Sequence, residues 1–468
     1  MSYSIGHSVF RRSFCGALLL VIGSGTQAIG ADQKPNFVVI FCDDLGYGDI
    51  GPFGHPTIAT PNLDRMAREG MRLTQFYAAA CVCTPSRAGL MTGRLPIRNG
   101  MCHDRRRVLF PDSQGGLPAD EITIAELLHG NGYATGCIGK WHLGHLPRYL
   151  PTSNGFDSYL GIPYSNDMDR LADSPKGREA FANPKIEYFN VPLMRDQEIV
   201  ERPADQTTIT RRYTEEAVRF IDKNKDRPFF LYFPHSLPHV PLFRSPEFAD
   251  TSRRGLFGDV VEEIDWSVGQ VLDALRERDL DENTLVFFTS DNGPWLIFGE
   301  HGGSAGLLKD GKGCTWEGGM REPTLAWWPG KIAAGKTSTA LGSTMDLMAT
   351  VCSLSSTELP ADRTLDTHDL SPVLLGRGES TRNSILYYRG TQLMAARLGP
   401  WKAHFITQSA YGGGKPETHD PPLLFQLEHD PSERHNVAAD HRDVLAEIND
   451  LVAKHREGLV VAKSQLGP

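Results

Sequence analysis

Basic residues are not in excess in this 468-residue sequence, which has 48 Lys and Arg against 57 Asp and Glu and a formal net charge of −9. Because no basic stripe is present to neutralise phosphates, nothing in the sequence favours a nucleic acid as partner. The strong bias of disordered or collagen-like chains is also absent, since 40% of residues are hydrophobic and 22% charged. Length and composition predict a globular protein of two or three domains.

Cysteine is sparse, and its eight positions show neither a CxxC pair nor the Cys/His spacing of a zinc site. Cys15 lies in the N-terminal segment described next, so seven cysteines are expected in the mature chain. Seven scattered cysteines in a chain of this size do not predict a disulfide framework. Their odd number leaves at least one thiol unpaired.

The hydrophobic run at 16–22 is shorter than the roughly 20 residues that span a membrane. It follows Arg11 and Arg12 and precedes small residues up to Ala31, a layout typical of a secretory signal peptide. We predict a signal peptide over 1–31, cleavage near Ala31, and a secreted or periplasmic protein without a stable membrane anchor. An uncleaved anchor is the alternative, and the arginine pair also resembles a twin-arginine export signal.

Apolar runs alternate with helical patterns over most of the chain, which is typical of an α/β domain with a largely parallel sheet. The predicted strands of this part are 36–42, 133–138, 229–233 and 284–290, and the predicted helices are 61–70, 124–129, 207–225 and 260–275. Further along, short strands follow one another without intervening helices, at 385–388, 393–397, 401–406 and 423–427. A helix with apolar positions from 444 to 452 ends the chain. We predict a large α/β domain over 32–380 and a smaller α+β domain with an antiparallel sheet over 381–468.

Acidic residues follow two of the predicted strands, at the sheet edge where open α/β folds bind ligands. Asp43 and Asp44 follow the first strand, and Asp291 and Asn292 follow the strand at 284–290. Three carboxylates and one amide oxygen would form an all-oxygen site for Ca²⁺ or Mg²⁺. Each pair taken alone is explained as a helix cap, but two pairs at strand ends, with basic residues nearby, favour a metal site.

Basic residues follow two other strands. Lys140 and His142 come after the strand at 133–138, and His235 and His239 come after the strand at 229–233. Taken singly, the lysine is explained as an ion-pair partner and each histidine as a core or loop residue. We assign His235 to that structural group and leave it out of the site.

The segment Cys83-Thr-Pro-Ser-Arg87 precedes small residues that favour a helix. Cys83 is therefore expected at a helix N-terminus, where the helix dipole stabilises an anion. Two interpretations of the thiol stay open at this point. It is either a buried structural cysteine or a nucleophile whose pKa is lowered by Arg87 and the helix.

This segment, with Thr92-Gly-Arg94 behind it, resembles the signature of the type I, formylglycine-dependent sulfatases. The resemblance continues in family order over nearly the whole mature chain, at 43–49, 139–144, 290–293 and 311–312. It implies an alkaline phosphatase-like fold, with a large mixed sheet flanked by helices and a smaller C-terminal antiparallel α+β domain. It also implies a sulfuric ester hydrolase.

Two branches of the family share further segments with this sequence. Residues 161–165 resemble arylsulfatase A. N-acetylgalactosamine-6-sulfatase has segments similar to residues 96–100, 319–328 and 387–396. The second likeness implies a 6-sulfated galactose or N-acetylgalactosamine as substrate, with aryl or lipid sulfates as the alternative. A phosphoester hydrolase of the alkaline phosphatase-like group is a further alternative, although that group usually has Ser or Thr and two metals. A binding protein with an unmodified Cys83 is the non-enzymatic alternative.

The resemblance also implies a role for each matching residue. A formylglycine-generating enzyme would convert Cys83 to Cα-formylglycine, whose hydrate is the nucleophile. One divalent cation, Ca²⁺ or alternatively Mg²⁺, would be held by the matching ligands, which are Asp43, Asp44, Cys83, Asp291 and Asn292.

The remaining matches divide between catalysis and substrate binding. Arg87 and Lys140 would hold the hydrate, and His142 would take its second proton so that sulfate leaves. Lys312 and His239 would face the sulfate and the leaving group, one of them supplying a proton. Substrate contacts are expected from Ser165 near the hydrate, and at the rim from Asn166 and His301, where the sequence departs from the relatives.

Overall fold

The computed structural model describes residues 34–411 and 414–467, together with residues 1, 2 and 6. The predicted signal peptide and its cleavage point therefore lie outside the described residues. The chain divides at residue 34, and the part from there onward forms one compact unit. In the described part, no helix has the length and apolar character needed to cross a membrane. The division into domains near 380 stays a prediction.

Strands and helices are numbered in chain order. The described strands are β1 (Asn36–Cys42), β2 (Met71–Leu73), β3 (Phe76–Tyr77), β4 (Ala134–Ile138), β5 (Ser158–Gly161), β6 (Leu193–Arg195), β7 (Glu198–Glu201), β8 (Phe229–Pro234), β9 (Thr284–Ser290), β10 (Thr324–Trp327), β11 (Lys336–Ser338), β12 (Gly342–Ser343), β13 (Ser384–Arg389), β14 (Gln392–Leu398), β15 (Trp401–Thr407) and β16 (Glu417–Gln426). The described α-helices are α1 (Pro61–Glu69), α2 (Cys83–Thr92), α3 (Pro96–Asn99), α4 (Ile124–Gly130), α5 (Glu179–Ala182), α6 (Ile209–Asn224), α7 (Leu256–Arg276), α8 (Glu317–Met320), α9 (Asp346–Ser355), α10 (Ser371–Leu374) and α11 (Arg442–Glu457).

A ten-stranded mixed sheet forms the centre, in the order β11-β2-β10-β9-β1-β8-β4-β5-β6-β7. Its five central strands, β9 to β5, are parallel. The predicted largely parallel sheet is thus correct for the centre, whereas β10 and β6 begin antiparallel edges. Parallel strands bring their carboxyl ends to one edge, so the residues that follow β1, β4, β8 and β9 meet there.

Strand β1 is central because its sequence is apolar on both faces, and all seven of its residues are buried. Val38 and Ile40 belong to one core with α6 and α7. Phe37, Val39 and Phe41 belong to a second core with α4 and α9. Helices therefore cover both faces of the sheet, which confirms the predicted fold class.

A separate four-stranded antiparallel sheet, β13-β14-β15-β16, forms near the C-terminus. Ile448 and Val452 of α11 share an apolar core with it, so the predicted antiparallel sheet and closing helix are confirmed. Strand β16 begins at 417 rather than at the predicted 423. Its outer half contains two prolines and polar residues and lies beyond a register shift in β15, so no apolar alternation marked it.

Candidate active site

Two acidic pairs lie side by side at the carboxyl edge of the sheet. Asp43 and Asp44 follow β1, Asp291 and Asn292 follow β9, and the two strands are parallel neighbours. The Asp44 backbone N–H donates to Asp291 Oδ1 at 3.2 Å, and Asn292 Nδ2 donates to Asp44 Oδ1 at 2.7 Å. All four side chains are buried. The sheet register therefore brings together four of the five predicted metal ligands, all except Cys83.

Arg87 is fully buried and reaches the pairs from α2. Its Nε and Nη2 lie 3.0 and 2.8 Å from Asp291 Oδ2, and Nη2 lies 3.6 Å from Asp43 Oδ1. Its Nη1 donates to the carbonyl oxygen of Lys140 at 2.8 Å. The guanidinium thus links the helix that begins at Cys83 to the loops after three strands.

Two buried lysines pair with the other two carboxylates. Lys140 Nζ donates to Asp43 Oδ2 and, at 3.0 Å, to Ser165 Oγ. Lys312 Nζ donates to Asp44 Oδ2 at 2.9 Å and lies 2.7 Å from Oδ1. Each of the three carboxylates therefore has one principal basic partner.

The cluster still has open oxygen atoms. Asp43 Oδ1 and Asn292 Oδ1 are buried and accept no hydrogen bond from any described residue. Burial and the charge of Asp43 raise the pKa of Asp291 to about 7, and burial raises the pKa of Asp44 to about 6. Asp43 differs, because burial is outweighed by the charges of Lys140, His239 and Arg87, which hold its pKa well below the usual range. Asp44 and Asp291 are thus short of positive charge, and the oxygen donors of the cluster fit a hard divalent cation. One buried group able to hold a metal ion, with ligand atoms within 4.8 Å of one another, consists of Asp43, Asp44, Cys83 and His239.

Cys83 is the first residue of α2, and only 2% of it is exposed. Lys312 Nζ donates to its Sγ at 3.5 Å. Burial raises the pKa of the thiol to about 12, and the charges of Lys140 and Lys312 offset this only in part. The lowered thiol pKa considered from the sequence is therefore not found, which disfavours a thiolate as nucleophile.

The two ring nitrogens of His142 have different surroundings. Its Nε2 lies 2.9 Å from the carbonyl oxygen of Leu109, so this nitrogen carries the proton and donates it. The buried Nδ1 has no partner among the described residues. Burial and then the charge of Lys140 hold the pKa of His142 well below its usual range. A neutral imidazole with an open Nδ1 is arranged to accept a proton.

His239 is oriented by its backbone neighbour. Its Nδ1 donates to the Val240 carbonyl oxygen at 2.6 Å. Its Nε2 lies 3.4 Å from Ser165 Oγ and 3.6 Å from Asp44 Oδ2. Ser165 thus lies between Lys140 and His239, as its predicted position near the nucleophile requires.

Asn166 and His301 do not line the cavity that opens over Cys83. Asn166 is fully buried, its Nδ2 donates to Gln206 Oε1 at 3.1 Å, and its Oδ1 lies 3.1 Å from His239 Nδ1. His301 is half-buried, with Nδ1 3.2 Å from the Phe181 carbonyl oxygen. Asn166 is placed to orient His239, and contact of either residue with substrate stays a prediction.

A cavity of ≈ 290 Å³ opens over Cys83. Of the predicted residues it is lined by Cys83, His142, Ser165, His239 and Lys312. Sequence reasoning missed the rest of the lining, which consists of Arg105, Arg107, Val108, Phe110, Asp167, Met168, Trp295 and Tyr411. Signals were present for three of these: Asp167 and Trp295 closely follow predicted site residues, and Arg107 ends a run of three arginines.

The mixed sheet with helices on both faces and a buried ion cluster at its carboxyl edge defines an enzyme of the alkaline phosphatase-like class. Residues 35–357 match the family model described as Sulfatase, and residues 380–468 match that of the C-terminal region of aryl-sulfatase. The chain therefore belongs to the sulfatase family and is a sulfuric ester hydrolase.

Similar proteins agree with this assignment. N-acetylgalactosamine-6-sulfatase of Canis lupus familiaris is 42% identical over 96% of this chain and 91% of its own. Arylsulfatase A of Homo sapiens is 43% identical over 90% and 86%. The crystal structure of the PsFucS1 sulfatase from Pseudoalteromonas sp. superposes with a TM-score of 0.81 at 30% identity, over 91% of this chain and 90% of that one.

Proposed function

We propose that this sulfatase removes sulfate from a sulfated sugar, using a formylglycine hydrate at position 83 and one divalent cation, Ca²⁺. The observation that carries the proposal is the buried cluster beside Cys83, in which Asp43 Oδ1 and Asn292 Oδ1 accept no hydrogen bond from the described residues and the pKa of Asp291 is raised to about 7. This cluster supports the assignment of the metal ligands and catalytic residues that the family resemblance implies.

The charge of the cluster explains why it would attract a sulfate ester. Three carboxylates face three basic side chains, which are Arg87, Lys140 and Lys312. The protein part is thus close to neutral, and a bound divalent cation would leave it with two positive charges. When bound, the cation polarises the sulfate and favours the deprotonated nucleophile. Several carboxylates in an all-oxygen set suit Ca²⁺ better than Mg²⁺, which prefers to keep waters.

The thiol in this structure marks the position of the nucleophile. Cys83 Sγ stands in for a hydroxyl oxygen of the hydrated aldehyde, 3.5 Å from Lys312 Nζ and at the positive end of α2. This hydroxyl would lose its proton and attack sulfur, and the bond between sulfur and the sugar oxygen would break. Lys312 or His239 would supply the proton that the departing sugar oxygen takes up. His142 Nδ1 would then take the proton of the second hydroxyl, so that sulfate leaves and the aldehyde returns.

The cavity lining favours a sugar over a lipid as the leaving group. Asp167 lines the cavity with an Oδ1 that has no partner in the described ranges, and burial raises the pKa of this carboxyl. An acceptor of this kind fits a sugar hydroxyl, and Trp295 supplies an aromatic face. A site built to pair hydroxyls discriminates strongly against groups that lack them.

The remaining parts of the proposal concern the chain outside the site. We infer export through a signal peptide over 1–31, because of its charged, apolar and small-residue layout. We also infer a catalytic domain over 32–380 and a C-terminal domain over 381–468. Two separate family-model matches, ending at 357 and beginning at 380, support that division.

Two measurements test the function. The mass of the peptide that contains Cys83, from protein made together with a formylglycine-generating enzyme, should show loss of sulfur. Then kcat/KM should be compared for 6-sulfated N-acetylgalactosamine, a sulfated lipid, an aryl sulfate and an aryl phosphate. A sugar that is the poorest of the sulfates by tenfold, about 1.4 kcal/mol of transition-state binding, would overturn the sugar assignment. Aryl phosphate as the best substrate would favour a phosphoester hydrolase.

A further inference from the structure

Three consecutive arginines, Arg105 to Arg107, lie beside the active-site cavity, and only two of them line it. Arg106 pairs with Asp112, and its guanidinium lies 5.2 Å from the ring centroid of Phe110. Arg105 and Arg107 instead line the cavity. Alternate residues of an irregular loop thus point to different surroundings, with one charge compensated and two turned to the substrate space.

Arg107 is held in place by neutral groups only. Its Nη2 donates to the Gly313 carbonyl oxygen at 3.4 Å and to Cys81 Sγ at 3.4 Å. Its guanidinium lies 4.8 Å from the ring centroid of Tyr411, a cation–π contact. In residues 34–411 and 414–467 neither Arg107 nor Arg105 has a carboxylate within ion-pair distance, and Arg107 Nε has no partner.

A third arginine adds to this positive charge. Arg389, at the end of β13, is partly buried, and its Nη1 makes no hydrogen bond to the described residues. Loss of solvation and then the charge of Arg107 lower the pKa of Arg389. Two like charges held together without an acid are unfavourable until an anion joins them.

This charge is separate from the sulfate machinery. Arg87, Lys140 and Lys312 are each paired with a carboxylate of the cluster, so their charge is already compensated. Asp167 is the one acid among the described residues that line the cavity. The cavity therefore has more positive charge than one sulfate ester uses.

We propose that Arg105 and Arg107 form a subsite for a second anionic group of the substrate, a carboxylate or another sulfate ester, carried next to the sulfate that is removed. This rests on the proposed function and deepens it, because it makes the preferred substrate a polyanionic glycan. A planar guanidinium with open N–H groups binds either anion through paired, charge-assisted hydrogen bonds.

The test compares the preference of each variant for dianionic over monoanionic substrates. Substrates are a 6-sulfated galactosamine alone, the same unit linked to a uronic acid, and the same unit with a second sulfate. Arg107→Gln should lower the kcat/KM ratio of dianionic to monoanionic substrate about 10- to 100-fold, since hydrogen bonds between charged groups are lost. Arg105→Gln should lower it less, because Arg105 is more exposed. Arg107→Lys should restore part of the ratio.

Arg106→Gln is the matched control, because Arg106 is paired with Asp112 and does not itself line the cavity, although it contacts Phe110 of the lining. Its ratio should stay at the wild-type value. Loss with the uronic acid only identifies a carboxylate subsite, and loss with the second sulfate only identifies a sulfate subsite. An unchanged ratio in Arg107→Gln, or an equal fall in Arg106→Gln, would overturn the proposal.

An aryl sulfate and the same aryl sulfate bearing a carboxylate separate this proposal from the sugar assignment. If sugars prove poor substrates, this pair still reports the ratio, so the subsite is tested even when the sugar assignment fails. The wild-type kcat/KM for the dianionic member should also fall more steeply with salt than that of Arg107→Gln. Equal salt dependence of the two proteins would contradict a charge-based subsite.

Discussion

The ion cluster at the carboxyl edge of the central sheet has a counterpart where the C-terminal sheet meets α8. In this junction cluster, Lys402 Nζ of β15 donates to Glu317 Oε1 at 2.9 Å and lies 3.0 Å from Glu433 Oε1. Tyr77 OH donates to Glu317 Oε2 at 2.6 Å, and His404 Nε2 lies 2.7 Å from Glu433 Oε1. The Glu317 backbone N–H donates to Glu433 Oε2 at 2.7 Å.

Both clusters are buried, yet the pKa values of Glu317 in one and Asp291 in the other are shifted in opposite directions. Burial raises the pKa of Glu317, but the charges of Lys402, Arg321 and Arg397, with the hydrogen bond from Tyr77, together outweigh it and hold that pKa at about 2. Asp291 of the active-site cluster is raised to about 7 although Arg87 pairs with it. The junction cluster is saturated with donors and serves attachment. The active-site cluster leaves acceptors open, as a site that must take up a cation requires.

The largest effect is expected at Cys83, the proposed nucleophile beside the open cluster. Cys83→Ala should remove turnover of an aryl sulfate down to background, because no hydrate can form, while the melting temperature stays close to wild type. Cys352→Ala removes another buried thiol, in α9, and should retain turnover. Activity of Cys83→Ala above a trace of the wild-type rate would show that another residue is the nucleophile.

The saturated cluster should respond in stability instead of activity. Lys402→Met leaves Glu317 and Glu433 buried without their shared cation, which should lower the free energy of unfolding by about 3–5 kcal/mol. Activity per folded molecule should be retained. Urea unfolding measures the loss, and Lys454→Met on an exposed position of α11 should cost less than about 0.5 kcal/mol. Equal effects of the two variants would remove the contrast between clusters.

A milder change sharpens the contrast through metal binding. Asn292→Ala removes one open oxygen and should weaken Ca²⁺ binding about 10- to 100-fold. The melting temperature of wild-type protein stripped with a chelator should rise as Ca²⁺ is added. The variant should need a roughly 10- to 100-fold higher Ca²⁺ concentration for the same rise. Asn283→Ala, at the other end of β9, serves as control. Stoichiometric zinc in the purified enzyme would contradict a calcium site.

The smallest effect concerns His235, whose ring nitrogens both lack a partner among the described residues. Burial lowers its pKa to about 3 from 6.5. Between pH 6.5 and pH 3, His235 binds a proton in the unfolded chain but not in the folded one. The free energy of unfolding is therefore unaffected by His235 above pH 6.5 and falls as the pH is lowered toward 3. His235→Leu should remove this loss, which amounts to about 2 kcal/mol at pH 5. The exposed His435→Leu should leave the pH profile of unfolding unchanged.

The sequence was informative where one physical signal fixes both element and site. Strands β1 and β9 have the predicted bounds, because each is a buried apolar run ended by acidic residues. Their side-by-side position could only be inferred from the general behaviour of parallel sheets. The strand order, with the first strand in the middle, depends on pairings far apart in the chain that no local pattern reports.

Side-chain direction was the part that residue patterns left undetermined. Arg105, Arg106 and Arg107 are identical in type, and only the loop decides which two face the cavity. Asn166 is predicted at the substrate rim, and the structure shows it buried and in contact with His239, which the residue pattern did not indicate. Position next to a site residue in sequence does not determine on which side of the backbone a polar group points.

The burial of Cys83 has a consequence for the formylglycine modification that we propose at this position. All ten residues of α2 are buried, so a modifying enzyme can draw this segment into its own active site only while the segment is still unfolded. Modification and folding therefore compete, and the outcome is fixed once for each molecule. Production with too little modifying enzyme should yield two populations of equal stability, one active and one permanently inert. Slower folding, or more modifying enzyme, would raise the active fraction, whereas treating the folded protein afterwards would not.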